Sequence, residues 1–182
     1  AENPALHDVG TAFVMSLFEK AGITTPTAPF HVEVLKQVKG VDVVALVADT
    51  HVLVIEDKTM TSNHSDQLNR YKQAIGAKYG NREIVSIYLK TFDQSSYSDI
   101  EGKGWKTFTR SDLLAVFREG RGVVDNAIFT DFLEHLEGIE AAVQSYATLQ
   151  PGDWATQPLA WRGFYRALQH GLGQGQWGYV PN

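Results

Sequence analysis

The sequence predicts a mixed α/β fold, a mixed central sheet flanked by helices, followed by a helical extension. Three observations predict it. Val41–Lys58 consists of two apolar, β-branched runs around a polar break at Asp49-Thr50, which reads as a β-hairpin buried on both faces. A segment of helical periodicity, about Asp66 to Tyr79, separates that hairpin from another apolar run, Glu83–Lys90. Beyond Ser111 the strand pattern gives way to helical spacing. The expected arrangement is a single domain over 1–182, with a core at about 8–110 and a helical extension at about 111–182.

Bulk composition sets modest bounds. A chain of 182 residues, 43% of them hydrophobic, is long enough for one domain with a real core. The formal charge of −5 argues against a protein that coats polyanions through a basic surface. It leaves a metal-dependent enzyme open, because ligand carboxylates add negative charge that cations neutralise. Cysteine is absent, which excludes disulfides, thiolate zinc sites and cysteine nucleophiles. No apolar run reaches membrane-spanning length and no signal peptide is visible, so a soluble cytoplasmic protein is expected, with no membrane partner.

In chain order, the first helix is expected over Asp8–Ala21, with Phe13, Val14, Leu17 and Phe18 inward and Gly22 closing it. Thr24–Pro29 is a connector. Phe30–Val38 alternates apolar and polar, a strand with one wetter face, and Lys39-Gly40 turns the chain into the hairpin. The polar residues 61–66 offer helix caps. Leu68, Tyr71, Ile75 and Tyr79 then form one stripe, ended by Gly80-Asn81. The crossover from the hairpin through this helix to Glu83–Lys90 should be parallel.

Phe92–Gly104 reads as a long polar loop, and Trp105–Thr109 as a short edge strand. Ser111-Asp112 is expected to cap a helix through Glu119. A long helix from Asp125 to about Tyr146 should bury Ile128, Phe129, Phe132, Leu133, Leu136 and Ile139, with His135 at the surface. A last helix, Pro158–Gly171, carries Trp161, Phe164 and Tyr165, read as core aromatics rather than base-stacking groups. The tail 173–182 is rich in glycine yet holds Trp177 and Tyr179, which suggests that it packs or binds something and that the native chain continues.

Charge in the hairpin carries the functional signal, since an unpaired buried ion costs several kcal/mol or more. Asp42 opens the first strand, and Glu56, Asp57 and Lys58 close the second. Alternation puts Glu56 and Lys58 on one face and Asp57 on the other. Asp42 joins Glu56 only if the loop is odd-numbered, for example Ala48–Thr50, or if a bulge intervenes. A strict two-residue turn would set Asp42 opposite Asp57. Carboxylates and an ammonium on one face would suit a hard cation. A structural ion pair at a strand end is the competing explanation. Gln67 and Tyr71, four apart, are neighbours on the following helix.

Asp42, then Glu56-Asp57-Lys58, then Gln67-Leu68-Asn69-Arg70-Tyr71 together resemble the PD-(D/E)xK nuclease superfamily, and within it the branch with a Gln-x-x-x-Tyr motif, as in RecB-type nucleases. Val41 stands where that pattern has proline. The resemblance is specific over roughly residues 30 to 92, and the last third of the chain adds nothing to it. It implies a restriction-endonuclease-like αβββαβ core and a metal-dependent nuclease that hydrolyses phosphodiester bonds in nucleic acid, with DNA the first expectation. It further implies magnesium, replaceable by manganese, on Asp42, Glu56 and the main-chain carbonyl of Asp57. Lys58 would position the attacking water and stabilise the transition state, while Gln67 and Tyr71 brace the site or touch the phosphate backbone. In such nucleases an acidic residue of the first helix often helps hold metal; Asp8 and Glu19 are the candidates, with His7 nearby and Glu33 on the next strand. Arg70, Lys72, Lys36 and Lys39 are candidates for backbone contacts. The rival from another class is a nuclease-like fold without turnover, serving as a binding or assembly module.

Overall fold

A computed structural model of the chain describes residues 3–36, 38–59, 66–94 and 96–173. It divides into two compact units, Ala1–Asn126 and Ala127–Asn182. The first is built on a five-stranded sheet in the order β1-β2-β3-β4-β5, with β1 Val32–Lys36, β2 Val43–Val47, β3 His51–Lys58, β4 Glu83–Lys90 and β5 Lys106–Thr109. The first three strands pair antiparallel, and β3-β4 and β4-β5 pair parallel. Parallel neighbours need a crossover, and α2, Gln67–Tyr79, supplies the one between β3 and β4.

Helix α1 runs from Pro4 to Ala21, four residues earlier than expected. Asn3 is the cap, its side chain accepting the Leu6 N–H at 3.1 Å, and Pro4 sits in the first turn, where its missing N–H costs nothing. Leu17 and Phe18 are fully buried. A short helix α3, Ser98–Gly102, interrupts the segment expected to be loop. It forms because Ile100, only 2% exposed, has core to enter beside Trp105. Helix α4 is Arg110–Phe117, starting earlier and ending two residues sooner than expected, and capped by Thr109, not Ser111-Asp112. Asp112 lies at the third helical position and completes a capping box with Thr109.

Register decides where the hairpin's charges go. Val47 faces His51 and Val43 faces Ile55, so the loop is the three-residue Ala48–Thr50, and the same register carried one step past the last rung sets Asp42 across from Glu56. Ala48 adopts the left-handed region, φ 48°, which costs a non-glycine residue free energy. Two contacts hold it there: its N–H donates to the His31 carbonyl at 2.9 Å, and its carbonyl accepts from Arg82 Nη1 at 2.8 Å.

Val44, Val52 and Val54 pack under α2 in a cluster with Leu68, Ile75, Tyr88, Ile100 and Trp105. No side-chain hydrogen bond caps α2 at Asp66, so tertiary burial holds this helix. Leu68 and Ile75 are both fully buried, and each contributes roughly 1.5–3 kcal/mol by leaving water. Residues 60–65, which carry most of the expected capping loop, lie outside the described residues.

The second unit pairs α5, Ala127–Gln144, with α6, Pro158–Gly173. The helices approach closely at Gly163, where an added Cβ would sit 1.9 Å from the Val143 carbonyl oxygen. Leu133, Leu136, Ile139 and Val143 form the buried side of α5. Ile128 and Phe132, expected inside, are 81% and 41% exposed: burial on α5 begins at Leu133, so the first turns of the apolar stripe are left uncovered. Trp161 and Tyr165 of α6, also expected in the core, are 39% and 55% exposed. Residues 174–182, the expected packing tail, lie outside the described residues. No helix among the described residues is long and apolar enough to cross a membrane.

Candidate active site

The hairpin's open end brings Asp42, Glu56 and Lys58 together, with Tyr71 of α2 within electrostatic reach of Lys58. Strand β2 stops at Val43, and the next ladder position is taken over by a side chain: Asp42 Oδ2 accepts the Asp57 N–H at 3.0 Å. That bond turns the Asp42 carboxylate toward β3. Glu56, the residue opposite, is only 1% exposed, and its Oε1 accepts from Lys58 Nζ at 2.6 Å. Its second oxygen, Oε2, is buried and meets no donor among the described residues; the Asp42 carboxylate lies within hydrogen-bonding reach of Glu56, a contact that only a shared proton makes favourable.

A buried carboxylate with half its acceptors unused should not remain comfortably ionised. Burial pushes the Glu56 carboxyl up from its ordinary 4.5, against the pull of Lys58, and the Asp42 carboxylate adds to the rise. Asp57, on the other face, is raised by the protein around it and by Asp42, with Lys58 and Lys90 opposing. Burial would lower Lys58, but its hydrogen bond to Glu56 and the negative charges of Glu56 and Asp42 outweigh this and hold it protonated. Three carboxylates, Asp42, Glu56 and Asp57, crowd against two ammonium groups, Lys58 and Lys90, and leave the site short of positive charge.

From α2, Gln67 Nε2 donates to the Tyr71 hydroxyl. The Tyr71 ring lies against Gly40, whose φ is +85° and where a Cβ would stand 3.4 Å from Tyr71 Cε1. Glycine there both makes the turn before Asp42 and leaves room for the ring. Tyr71 is close enough to Lys58 to contribute to its electrostatics, which places α2 beside the open end of the hairpin.

Other acidic candidates lie elsewhere. Glu33 pairs with Leu46, four rungs from Asp42, or about 13 Å along the strand. Asp8 and Glu19 line clefts against α4, Asp8 beside Gly120 and Glu19 beside Asp112. Lys72 donates to the Lys103 and Gly104 carbonyls at 3.1 and 3.0 Å and so braces the turn after α3. Two groups outside the sequence prediction stand beside the site. Parallel register sets Tyr88 next to Glu56 and the buried Lys90 next to Lys58. Burial, with Tyr97 and Glu56 nearby, pushes the Tyr88 phenol up to about 12, so it stays protonated. A lysine closing an apolar strand, the signal used for Lys58, was available at Lys90; its relevance depends on a register that composition does not reveal.

Among the described residues no group of three or more His, Cys, Asp or Glu side chains is placed to hold a metal ion. What the residues do provide is a carboxylate pair, one member with a buried oxygen left open, beside a strand-end main chain. That all-oxygen donor set fits a hard divalent cation that keeps several waters, and fits a thiophilic metal poorly.

The model of the PD-(D/E)XK nuclease superfamily matches residues 7–141. No curated protein and no solved structure gives a significant match. Nucleases of this superfamily typically use a divalent metal and act on nucleic acid. The sheet of mixed direction, the flanking helices and the matched span agree: the chain belongs to the PD-(D/E)XK nuclease superfamily.

Proposed function

We propose that the protein hydrolyses phosphodiester bonds in nucleic acid, DNA foremost, with magnesium as its natural cofactor and manganese as a substitute. The observation that carries this reading is Glu56, a carboxylate 1% exposed whose Oε2 is buried with no donor among the described residues, next to Asp42. A structural ion pair would be expected to satisfy both oxygens. Asp42, Glu56 and the main-chain carbonyl of Asp57 would hold the cation. When bound, it supplies Lewis-acid activation of water and neutralises charge on the phosphate.

The remaining chemistry belongs to the chain. Lys58, protonated and fixed by Glu56, presents an ammonium that orients the attacking water and offsets charge developing on the phosphoryl oxygens. Gln67 fixes the Tyr71 hydroxyl, and Tyr71 fills the space over Gly40, so the pair braces the wall of the site and can meet a phosphate oxygen. One observation favours a second reading, a nuclease-like module that binds without turnover: no third acidic or histidine side chain joins Asp42 and Glu56 among the described residues.

A cleavage assay on single- and double-stranded DNA and RNA separates the two. The wild type should cut at least one of the four substrates with Mg²⁺ or Mn²⁺ and stop in EDTA, and Glu56→Gln should be inactive. Absence of cutting on all four would leave only the binding module.

A further inference from the structure

Helix α6 carries a second feature the site does not use. Trp161 and Tyr165, one turn apart, are 39% and 55% exposed, and their rings stack with centroids 5.9 Å apart and planes 23° from parallel. Trp161 is anchored from beneath by Trp154, only 7% exposed, which meets it edge-on at 5.1 Å. Two large aromatic rings are thus fixed by their contacts while each leaves part of its face open to solvent.

The surrounding charge is sorted. Residues 127–182 contain two Lys or Arg residues, Arg162 and Arg166, and five acids, Asp131, Glu134, Glu137, Glu140 and Asp153. Both arginines lie on α6 and are exposed; four of the five acids lie on α5. On a helix, positions 161 and 165 form one row, and 162 and 166 the row about 100° round. Aromatic rings beside a row of guanidinium groups match a single strand, whose bases offer π-faces and whose phosphates offer negative charge. A duplex hides its bases in the stack and has less use for such a platform.

We propose that the exposed Trp161–Tyr165 platform of α6, with Arg162 beside it, binds single-stranded nucleic acid by base stacking. The ligand class rests on the nucleic-acid reading of the hairpin site; the binding itself does not require that site to be active.

The test uses the full chain in EDTA and fluorescein-labelled 20-nucleotide oligothymidine, 20-nucleotide oligouridine and a 20-base-pair DNA duplex, read by fluorescence anisotropy. The wild type should prefer a single strand, and the two single-stranded arms report whether DNA or RNA is favoured. Trp161→Ala should weaken single-strand binding between about fivefold and a hundredfold, the usual worth of one stacked base. Trp161→Phe, which refills the contact with Trp154, should keep most of the affinity, and Tyr165→Ala should weaken it without disturbing the buried cluster. Arg162→Ala should lower the dependence of log affinity on log salt by about 0.7.

Unchanged single-strand affinity in Trp161→Ala and Tyr165→Ala would overturn the proposal. So would a Trp161→Ala variant that differs from wild type only in self-association. Cleavage by the wild type, assayed separately, keeps the two claims apart: cutting with no platform effect sinks the platform alone, and platform-dependent binding without cutting sinks the nuclease reading alone.

Discussion

The two ends of one hairpin carry the same residue types and do different things. At the turn end, Asp49 is fully exposed and lies 3.7 Å from Arg82, and His51 lies 3.4 Å from Glu83, which is 57% exposed. The Asp49–Arg82 pair is solvated on its acidic side and worth little to stability, and Arg82 holds a tight loop in shape. At the open end, Glu56 and Lys58 are 1% and 17% exposed, and the carboxylate keeps an oxygen with no donor among the described residues. Charge alone therefore does not mark chemistry here. Burial combined with an incomplete set of partners does, because that combination costs stability and persists only where something else completes it.

The contrast breaks first at Lys58. Lys58→Ala should lower cleavage by about a hundredfold or more, equivalent to losing ~3 kcal/mol of transition-state stabilisation. Nucleic-acid affinity should change by no more than a few-fold, since binding is spread over many phosphate contacts. Initial rates and anisotropy on the same preparation check both halves, and undiminished cleavage would remove Lys58 from the mechanism.

A smaller effect concerns pH. Glu56 holds its proton more tightly when folded than its ordinary 4.5, so the folded state binds more protons just above that value. Stability without metal should then fall as pH rises from about 4.5 through the raised folded value. Melting curves in EDTA should show wild type losing more than Glu56→Gln across this window. Parallel profiles for the two proteins would mean that Glu56 is not under strain.

The smallest effect is expected at the turn. Asp49→Ala removes a fully solvated carboxylate and should leave both melting temperature and cleavage at wild-type values. A loss of cleavage there would show that the two ends are not as separate as the geometry makes them.

Legibility in the sequence tracks how local the physics is. Strand alternation placed Glu56 with Lys58, and the odd loop needed to bring Asp42 opposite Glu56 is the one the chain adopts. The left-handed Ala48 was not legible: alanine does not advertise positive φ, and the contacts that hold it come from His31 and Arg82, far along the chain. Tyr88 and Lys90 needed the parallel register of β3 and β4 before either could be set beside the site. The cap at Asn3 is a local signal, present but outweighed by the apolar face that begins deeper in the helix. On α6 the periodicity reveals a helix, but which aromatics are covered depends on what packs against it. Trp154 enters the core while Trp161 and Tyr165 stay in water.

The central claim is that the Asp42–Glu56 pair is a cation site held open at a cost in stability. Thermal melting of wild type and Asp42→Asn, each with EDTA and with Mg²⁺, tests it without a substrate. Asparagine can still accept the Asp57 N–H through its amide oxygen, so the substitution removes charge while sparing that bond. The account predicts that Mg²⁺ raises the wild-type melting temperature by several degrees, since ligand at about a hundred times its Kd stabilises by roughly 2.7 kcal/mol. Asp42→Asn should melt higher than wild type in EDTA and show no response to Mg²⁺. A wild type indifferent to Mg²⁺, together with an Asp42→Asn variant that melts lower in EDTA, would contradict the claim and leave Asp42, Glu56 and Lys58 as a structural ion-pair network.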